Sequence, residues 1–277
     1  MTKVLLAGAT GTLGSYLAKE LLAKNFATIL IARNTNKLNN INAEIVKAEL
    51  TKPKTLKGVC ENIDIVISSV GITRQKDKLT YMDVDFQANM NLLNEAKKSG
   101  VKKFIYISVI NGEALKNIKI CEAKEKFVAA LKNSGLDFQV VRPNGFYTDL
   151  IEVLDMAKSG RVYLFGDGSV KLNPIHPKEL ARFCVENINN NTKELNIGGP
   201  EILSLKEIGN IAFEALGKKP KITYIPNGVA NFILKIIKTF TSSVFYGPIE
   251  FFITAMQLDA IGPKYGNITL KKYFNSL

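Results

Sequence analysis

Lys3-Val4-Leu5-Leu6-Ala7-Gly8-Ala9-Thr10-Gly11-Thr12-Leu13-Gly14 is the stretch from which the fold is read. Val4 to Ala7 are apolar without interruption, as a strand buried on both faces requires, and glycines then recur at Gly8, Gly11 and Gly14. Each glycine has its own reason to be there. Gly8 permits a tight turn, Gly11 lets the backbone approach a pyrophosphate, and Gly14 lets the next helix pack closely on the strand. The unpaired N–H groups at the start of that helix then point at phosphate oxygens, so Gly8 to Gly14 (with Ala9, Thr10, Thr12 and Leu13 between the glycines) is expected to hold a dinucleotide.

Working outward, short β-branched runs alternate with helix-length segments through the first half. Strands are expected at Lys3 to Ala7, Ala27 to Ala32, Glu44 to Lys47, Ile63 to Ser68, Lys103 to Ser108 and Phe138 to Arg142. Amphipathic stretches at Leu13 to Lys24, Tyr81 to Lys98 and Ala123 to Asn133 lie between them. The alternation predicts an α/β fold, a Rossmann-type doubly wound parallel sheet. After Pro143 the elements shorten and Gly/Pro punctuation increases, as in Gly166-Asp167-Gly168 and Gly198-Gly199-Pro200. The expected division is a nucleotide-binding core over residues 1–145 and a smaller C-terminal, substrate-side lobe over 146–277, interleaved with the core. Ser204 and Glu207 form a capping box for a helix at Leu205 to Leu216, which Gly217 closes.

The end of the second strand bears on which dinucleotide fits, because a carboxylate there would accept the ribose 2′-OH of NAD. Arg33 stands in that place, Asn34 follows, Lys37 is one helical turn on, and no acid occurs before Glu44. A 2′-phosphate would meet cation, so NADP(H) is expected ahead of NAD(H). The alternative is an Arg33 that only meets solvent.

Lys and Arg exceed Asp and Glu by 37 to 25, a net charge of +12. The excess is scattered in pairs such as Lys97-Lys98, Lys102-Lys103 and Lys218-Lys219, where cations near helix ends need no partner. No one-faced footprint suggests nucleic acid. Cys60, Cys121 and Cys184 form no CxxC pair, which supports neither a disulfide framework nor a metal site, and they are read as reduced thiols in a cytoplasmic protein. The apolar run after Met1-Thr2-Lys3 is too short for a signal peptide.

Val229, Phe232, Ile233, Ile236, Ile237 and Phe240 recur at helical spacing. Lys235 and Lys238 interrupt the segment, and Gly247-Pro248 and Glu250 break the stretch that follows, so no run reaches the ~18 apolar residues of a membrane span. Burial against the main domain is the first expectation for Val229 to Phe240. A partner surface or a peripheral membrane contact are the alternatives.

The glycine loop, Arg33, SSVGITRQ at Ser68 to Gln75 and NSGLDFQVVRPNGF at Asn133 to Phe146 together resemble the atypical short-chain dehydrogenase/reductases of the NmrA-like kind. The likeness continues through GDGSVKLNPIHPKELA at Gly166 to Ala181, NIGGPEILSLKEIGNIAFEALGK at Asn196 to Lys218 and GPKYGNITLKKYF at Gly262 to Phe274. It implies the pyrophosphate on Gly8 to Gly14, the 2′-phosphate on Arg33, the adenine edge near Glu49 and Leu50, and the nicotinamide-side ribose beside Ser68, Ser69, Val70 and Gly71. Pro143, Asn144, Gly145 and Phe146 join the implied cofactor residues. The same resemblance points to a subgroup related to photosystem-assembly and respiratory-complex accessory proteins, some of which bind the cofactor without showing an activity.

Reductases of that wider group use a Tyr-x-x-x-Lys pair, whose lysine orients the ribose and lowers the tyrosine pKa. Lys124 matches the lysine, and Ser108 matches the catalytic serine. Ile120 stands where the tyrosine should be and has no proton to give, while Cys121 is a step off around the helix. An acceptor such as a quinone can take its proton from water. The sole histidine, His176, is read as structural ahead of general acid work. Two functions stay open: an NADPH-dependent oxidoreductase on a small apolar or quinone-like acceptor, or a non-catalytic redox sensor or assembly factor. A sugar-nucleotide epimerase or dehydratase leans harder on the missing tyrosine.

Overall fold

The computed structural model describes residues 1–38, 40–75 and 79–277. The chain divides into two compact units, one made of Met1–Arg142 with Leu180–Leu195, the other of Pro143–Glu179 with Asn196–Leu277. The division therefore falls at Arg142 instead of residue 145, and Leu180–Leu195 returns to the first unit.

In the first unit the chain runs β1 (Lys3–Ala7), α1 (Thr12–Ala23), β2 (Ala27–Ala32), β3 (Glu44–Lys47), β4 (Ile65–Ser68), α2 (Asn89–Lys98), β5 (Lys103–Ile107), α3 (Lys119–Lys132) and β6 (Asp137–Pro143). A π-helical stretch, Met82–Ala88, runs directly into α2. The sheet order is β3-β2-β1-β4-β5-β6-β9, with β9 formed by Glu194–Ile197, and the pairs from β3 to β6 are parallel. This is a Rossmann-type α/β sheet whose order reverses between β1 and β4, the place where such sheets bind ligands. Register fixes which residues meet there. Ala7 pairs with Ser68, and Ser68 with Tyr106, so Gly8, Ser69 and Ser108 all emerge at the carboxyl edge.

The strands hold because they are covered. Leu5, Val66, Phe104 and Tyr106 are fully buried in one cluster with Leu92 and Leu93 of α2 and Phe127 and Leu131 of α3. Each such side chain contributes roughly 1.5–3 kcal/mol over an exposed one. Helix α3 begins at Lys119, four residues before the expected start, because Ile120 and Cys121 are buried while Lys119 and Lys126 both pair with Glu122 on the outer face.

The second unit contains α4 (Ile151–Lys158), β7 (Val162–Phe165), β8 (Lys171–Leu172), β10 (Leu203–Ser204), α6 (Leu205–Ala215), β11 (Ile222–Ile225), α7 (Asn227–Phe240), α8 (Ser243–Ala255) and α9 (Leu270–Phe274). Helix α5 (Pro177–Glu186) carries the chain from one unit to the other. The capping box at Ser204 and Glu207 is formed as read. Leu154, Leu164, Ile208, Phe213 and Leu270 sit in the core of this unit.

Helix α8 passes through Pro248: a proline removes one ladder hydrogen bond, and buried Gly247, Glu250 and Ile253 keep the helix docked. One expectation fails here. Helix α7 does not bury its apolar stripe: Val229, Phe232, Ile233, Ile236 and Phe240 are all exposed, and Ala230 is its buried residue. The apolar arc is wider than the neighbouring α8 covers. Among the described residues no helix is long and apolar enough to cross a membrane.

Candidate cofactor site at the carboxyl edge of the sheet

Gly8 takes φ +90°, and the Gly11 N–H closes the turn on its carbonyl at 2.9 Å. A β-carbon on Gly8 would lie 2.6 Å from the Ser69 hydroxyl, and one on Gly14 would lie 2.0 Å from the Gly8 oxygen, so both positions require glycine. A β-carbon on Gly11 would meet only the Gly8 oxygen, at 3.3 Å; its outer side is open, and Thr10, Gly11 and Thr12 are exposed. Helix α1 starts without a side-chain cap and without an acid in its first turn. Its first N–H groups thus keep their capacity for an anion.

Arg33 is exposed just beyond β2, with Lys37 exposed in the turn that follows. Glu49 lies near enough for Arg33 to favour its charge, though the hydrogen bonds from Lys52 and Thr51 do most to hold its carboxyl below the usual range. Leu50 is buried, and its carbonyl accepts from Asn91 at 2.8 Å.

After β4 the backbone is tied to the helix that follows. Ser68 turns inward and donates to Asn89 Oδ1 at 2.5 Å; Ser69 and Val70 are half-buried, Ser69 donating to the Ala7 carbonyl at 3.1 Å, and Gly71 is exposed. Asn89 donates to the carbonyls of Val70, Val84 and Asp85, and the Ile72 N–H donates to Asp85 Oδ2 at 3.2 Å. Sequence reasoning missed both residues. Their signal was a pair of polar side chains one turn apart on the same inward face as Val84, Ala88 and Leu92, all buried.

Asp85 also holds Lys124, with Nζ 2.8 Å from Oδ1; Asp85 is fully buried and the lysine side chain nearly so. A β-carbon on Gly71 would lie 2.8 Å from Lys124 Nζ, so the lysine reaches the segment after β4. Burial alone would lower the Lys124 pKa, but the Asp85 charge, together with Tyr106 and the Asp85 hydrogen bond, outweighs it and holds the ammonium above the usual lysine range. Burial pushes the Asp85 carboxyl up against the pull of Lys124. The Tyr106 ring lies 5.7 Å from the same nitrogen, and its fully buried hydroxyl lacks a hydrogen-bond partner of good geometry among the described residues. Ile120 sits one turn before Lys124 on α3, buried and apolar.

Ser108 is buried and donates to Glu125 Oε1 at 3.1 Å; Arg142 holds that carboxylate through two nitrogens at 2.6 and 2.8 Å. Burial raises the Cys121 thiol to about 12, which keeps it an inert packing group. Pro143, Asn144, Gly145 and Phe146 belong to the second unit. There the Asn144 amide is engaged with Asn173 Oδ1 at 2.9 Å, the Ala260 carbonyl and the Gly145 N–H. His176 Nδ1 accepts the Lys178 N–H at 3.1 Å, and its ring meets Tyr147 and Tyr273 edge-on, an arrangement that starts α5 and packs the unit.

A parallel sheet of order 3-2-1-4-5-6, a glycine turn at the switch point and an uncapped helix start define a Rossmann-fold dinucleotide-binding protein, with the architecture of the atypical short-chain dehydrogenase/reductases. The sequence profile of the NAD(P)H-binding family matches residues 8–191, and the chain belongs to that family. It is similar to the divinyl chlorophyllide a 8-vinyl-reductase of Arabidopsis thaliana, 28% identical, with 97% of this chain and 72% of the relative covered. The photosystem II assembly factor Ycf39 of Synechocystis is 26% identical, with 86% of this chain and 75% of that one covered. In fold it is similar to an NADPH-dependent quinone oxidoreductase of Escherichia coli complexed with NADPH, with a TM-score of 0.73, 16% identity and coverage of 91% and 88%.

Proposed function

We propose that the chain is an NADPH-dependent oxidoreductase acting on a small apolar or quinone-like acceptor, in the NmrA-like branch of its fold group. The observation that carries this reading is the Lys124–Asp85 pair beside Gly71. A buried lysine with one carboxylate partner retains further N–H donors, which suit the hydroxyls of a ribose. NADPH supplies the hydride when bound. The glycine loop and the start of α1 hold the pyrophosphate, Arg33 attracts the 2′-phosphate, and Lys124 orients the ribose on the nicotinamide side. Ile120 gives no proton, so the acceptor is one that is protonated from solvent once reduced.

A vinyl-reductase and the fold of a quinone oxidoreductase among similar proteins support the reductase reading. Similarity to an assembly factor, together with Ile120, favours a second one: a non-catalytic NADP(H)-binding sensor or assembly factor. NADPH oxidation assayed over quinones, aldehydes and enones, beside a cofactor titration, separates them. Turnover with an apolar acceptor is expected; tight binding with no turnover on any acceptor selects the second reading. In the same titration NADPH binds more tightly than NADH, and Arg33→Asp reverses or erases the preference, because a repulsive pair replaces an attractive one. Equal parent affinities for both cofactors would remove the NADP assignment.

A further inference from the structure

Helix α7 exposes Val229, Ile233 and Ile236 on one stripe with Phe232 at 64% and Phe240 at 81% exposure, and Val244 and Phe245 at the start of α8 are exposed as well. Single exposed apolar residues are ordinary, but seven within 17 residues, five of them on one helix stripe, form a contiguous patch of the kind that marks an interaction surface. The charged residues along this segment have one sign. From Ala215 to Ile249 the chain carries Lys218, Lys219, Lys221, Lys235 and Lys238 and no Asp or Glu. Lys238 is tied to Glu250 at 2.5 Å, whereas Lys235 has no such partner among the described residues, and Lys218, Lys219 and Lys221 are exposed on the segment leading through β11 into α7.

From this patch we infer that α7 and the start of α8 lie on an anionic lipid surface, with the Phe232 and Phe240 side chains entering the acyl boundary and the lysines facing the phosphates. An amphipathic helix with large apolar side chains on one face and lysines at its flank gains from both the apolar burial and the negative surface. A second copy of the chain fits less well. A two-fold contact through this stripe would set the lysine-bearing flank against itself, with no acid in the segment to offset the repulsion. The inference is independent of whether the chain turns over an acceptor.

Vesicle co-sedimentation of the full chain tests it, using phosphatidylcholine vesicles with and without phosphatidylglycerol. The chain is expected to sediment with the anionic vesicles and to be released by salt. Phe232→Glu with Phe240→Glu should lower the partition about tenfold or more, and Lys235→Glu by a smaller factor, with unchanged melting temperatures because all three sites are exposed. The chain has no tryptophan, so the single indole of Phe232→Trp reports directly, and its emission should shift to the blue on anionic vesicles alone. No sedimentation with either vesicle, or sedimentation that the double variant leaves unchanged, overturns the inference. A dimer seen by light scattering that the double variant dissolves, without vesicle binding in the parent, overturns it in favour of a second copy.

Discussion

Lys124 and Glu125 are neighbours on α3, and each buries an ion pair, yet the two pairs are built differently. Glu125 receives Arg142 through two nitrogens, while Arg142 Nε reaches Glu194 at 2.8 Å, Nη1 reaches the Val109 carbonyl at 3.3 Å, and the Ser108 hydroxyl donates to the same Glu125 oxygen. That network has little capacity left. Lys124 has one carboxylate partner, Asp85, on an ammonium with three donors, and it borders Gly71 at the edge where the glycine loop also lies. A saturated buried pair holds the fold together, and an unsaturated one beside a ligand-binding edge keeps donors for something else. The consequence for Ser108 is direct: its buried hydroxyl is engaged by Glu125 and Arg142.

The largest expected effect comes from breaking the saturated pair. Arg142→Met strands Glu125 in a buried site and should cost about 3–5 kcal/mol of stability, read as a lower denaturant midpoint, while the folded fraction keeps its NADPH affinity. A lost cofactor affinity at intact stability would reverse the roles assigned to the two pairs.

Lys124→Met should act in the opposite sense, weakening NADPH binding by about 1–3 kcal/mol in a titration of the folded protein through lost hydrogen bonds to the ribose. Unchanged affinity would take Lys124 out of the site.

The same variant carries a pH signature. Asp85, whose carboxyl burial already pushes up, loses the Lys124 cation that opposes that push, so the folded state retains a proton that the unfolded chain releases. Stability of Lys124→Met relative to the parent should therefore be greatest in acid and fall as pH rises above the ordinary aspartate range, as thermal melts over about pH 5 to 8 would record. A flat difference would mean that Asp85 finds another partner.

Ile120→Tyr has the smallest expected effect on function. It restores the tyrosine-lysine spacing, but the reductase reading takes the proton from solvent, so turnover of a quinone acceptor should rise by no more than about twofold. The added hydroxyl in a packed site should cost about 1–3 kcal/mol of stability. A rise of a hundredfold would show that a proton donor had been limiting.

Much of this molecule was legible in one dimension. Unbroken apolar runs such as Val4 to Ala7 and Ile65 to Ile67, set in the β/α alternation, read as strands covered on both faces, and no side chain fits where Gly8 and Gly14 stand. Lys124 was found through its spacing from Ile120 in a recognised pattern. Its partner was not, because Asp85 lies 39 residues away and is brought over by the docking of the π-helical turn on the segment after β4, a long-range contact that leaves no local period. Ser108 likewise needed its neighbours before a hydroxyl at a strand end became part of an arginine network. For α7 the periodicity established an amphipathic helix, but periodicity says only that a face is apolar; whether the rest of the chain covers it depends on what packs there, and the tertiary structure leaves that stripe in the open.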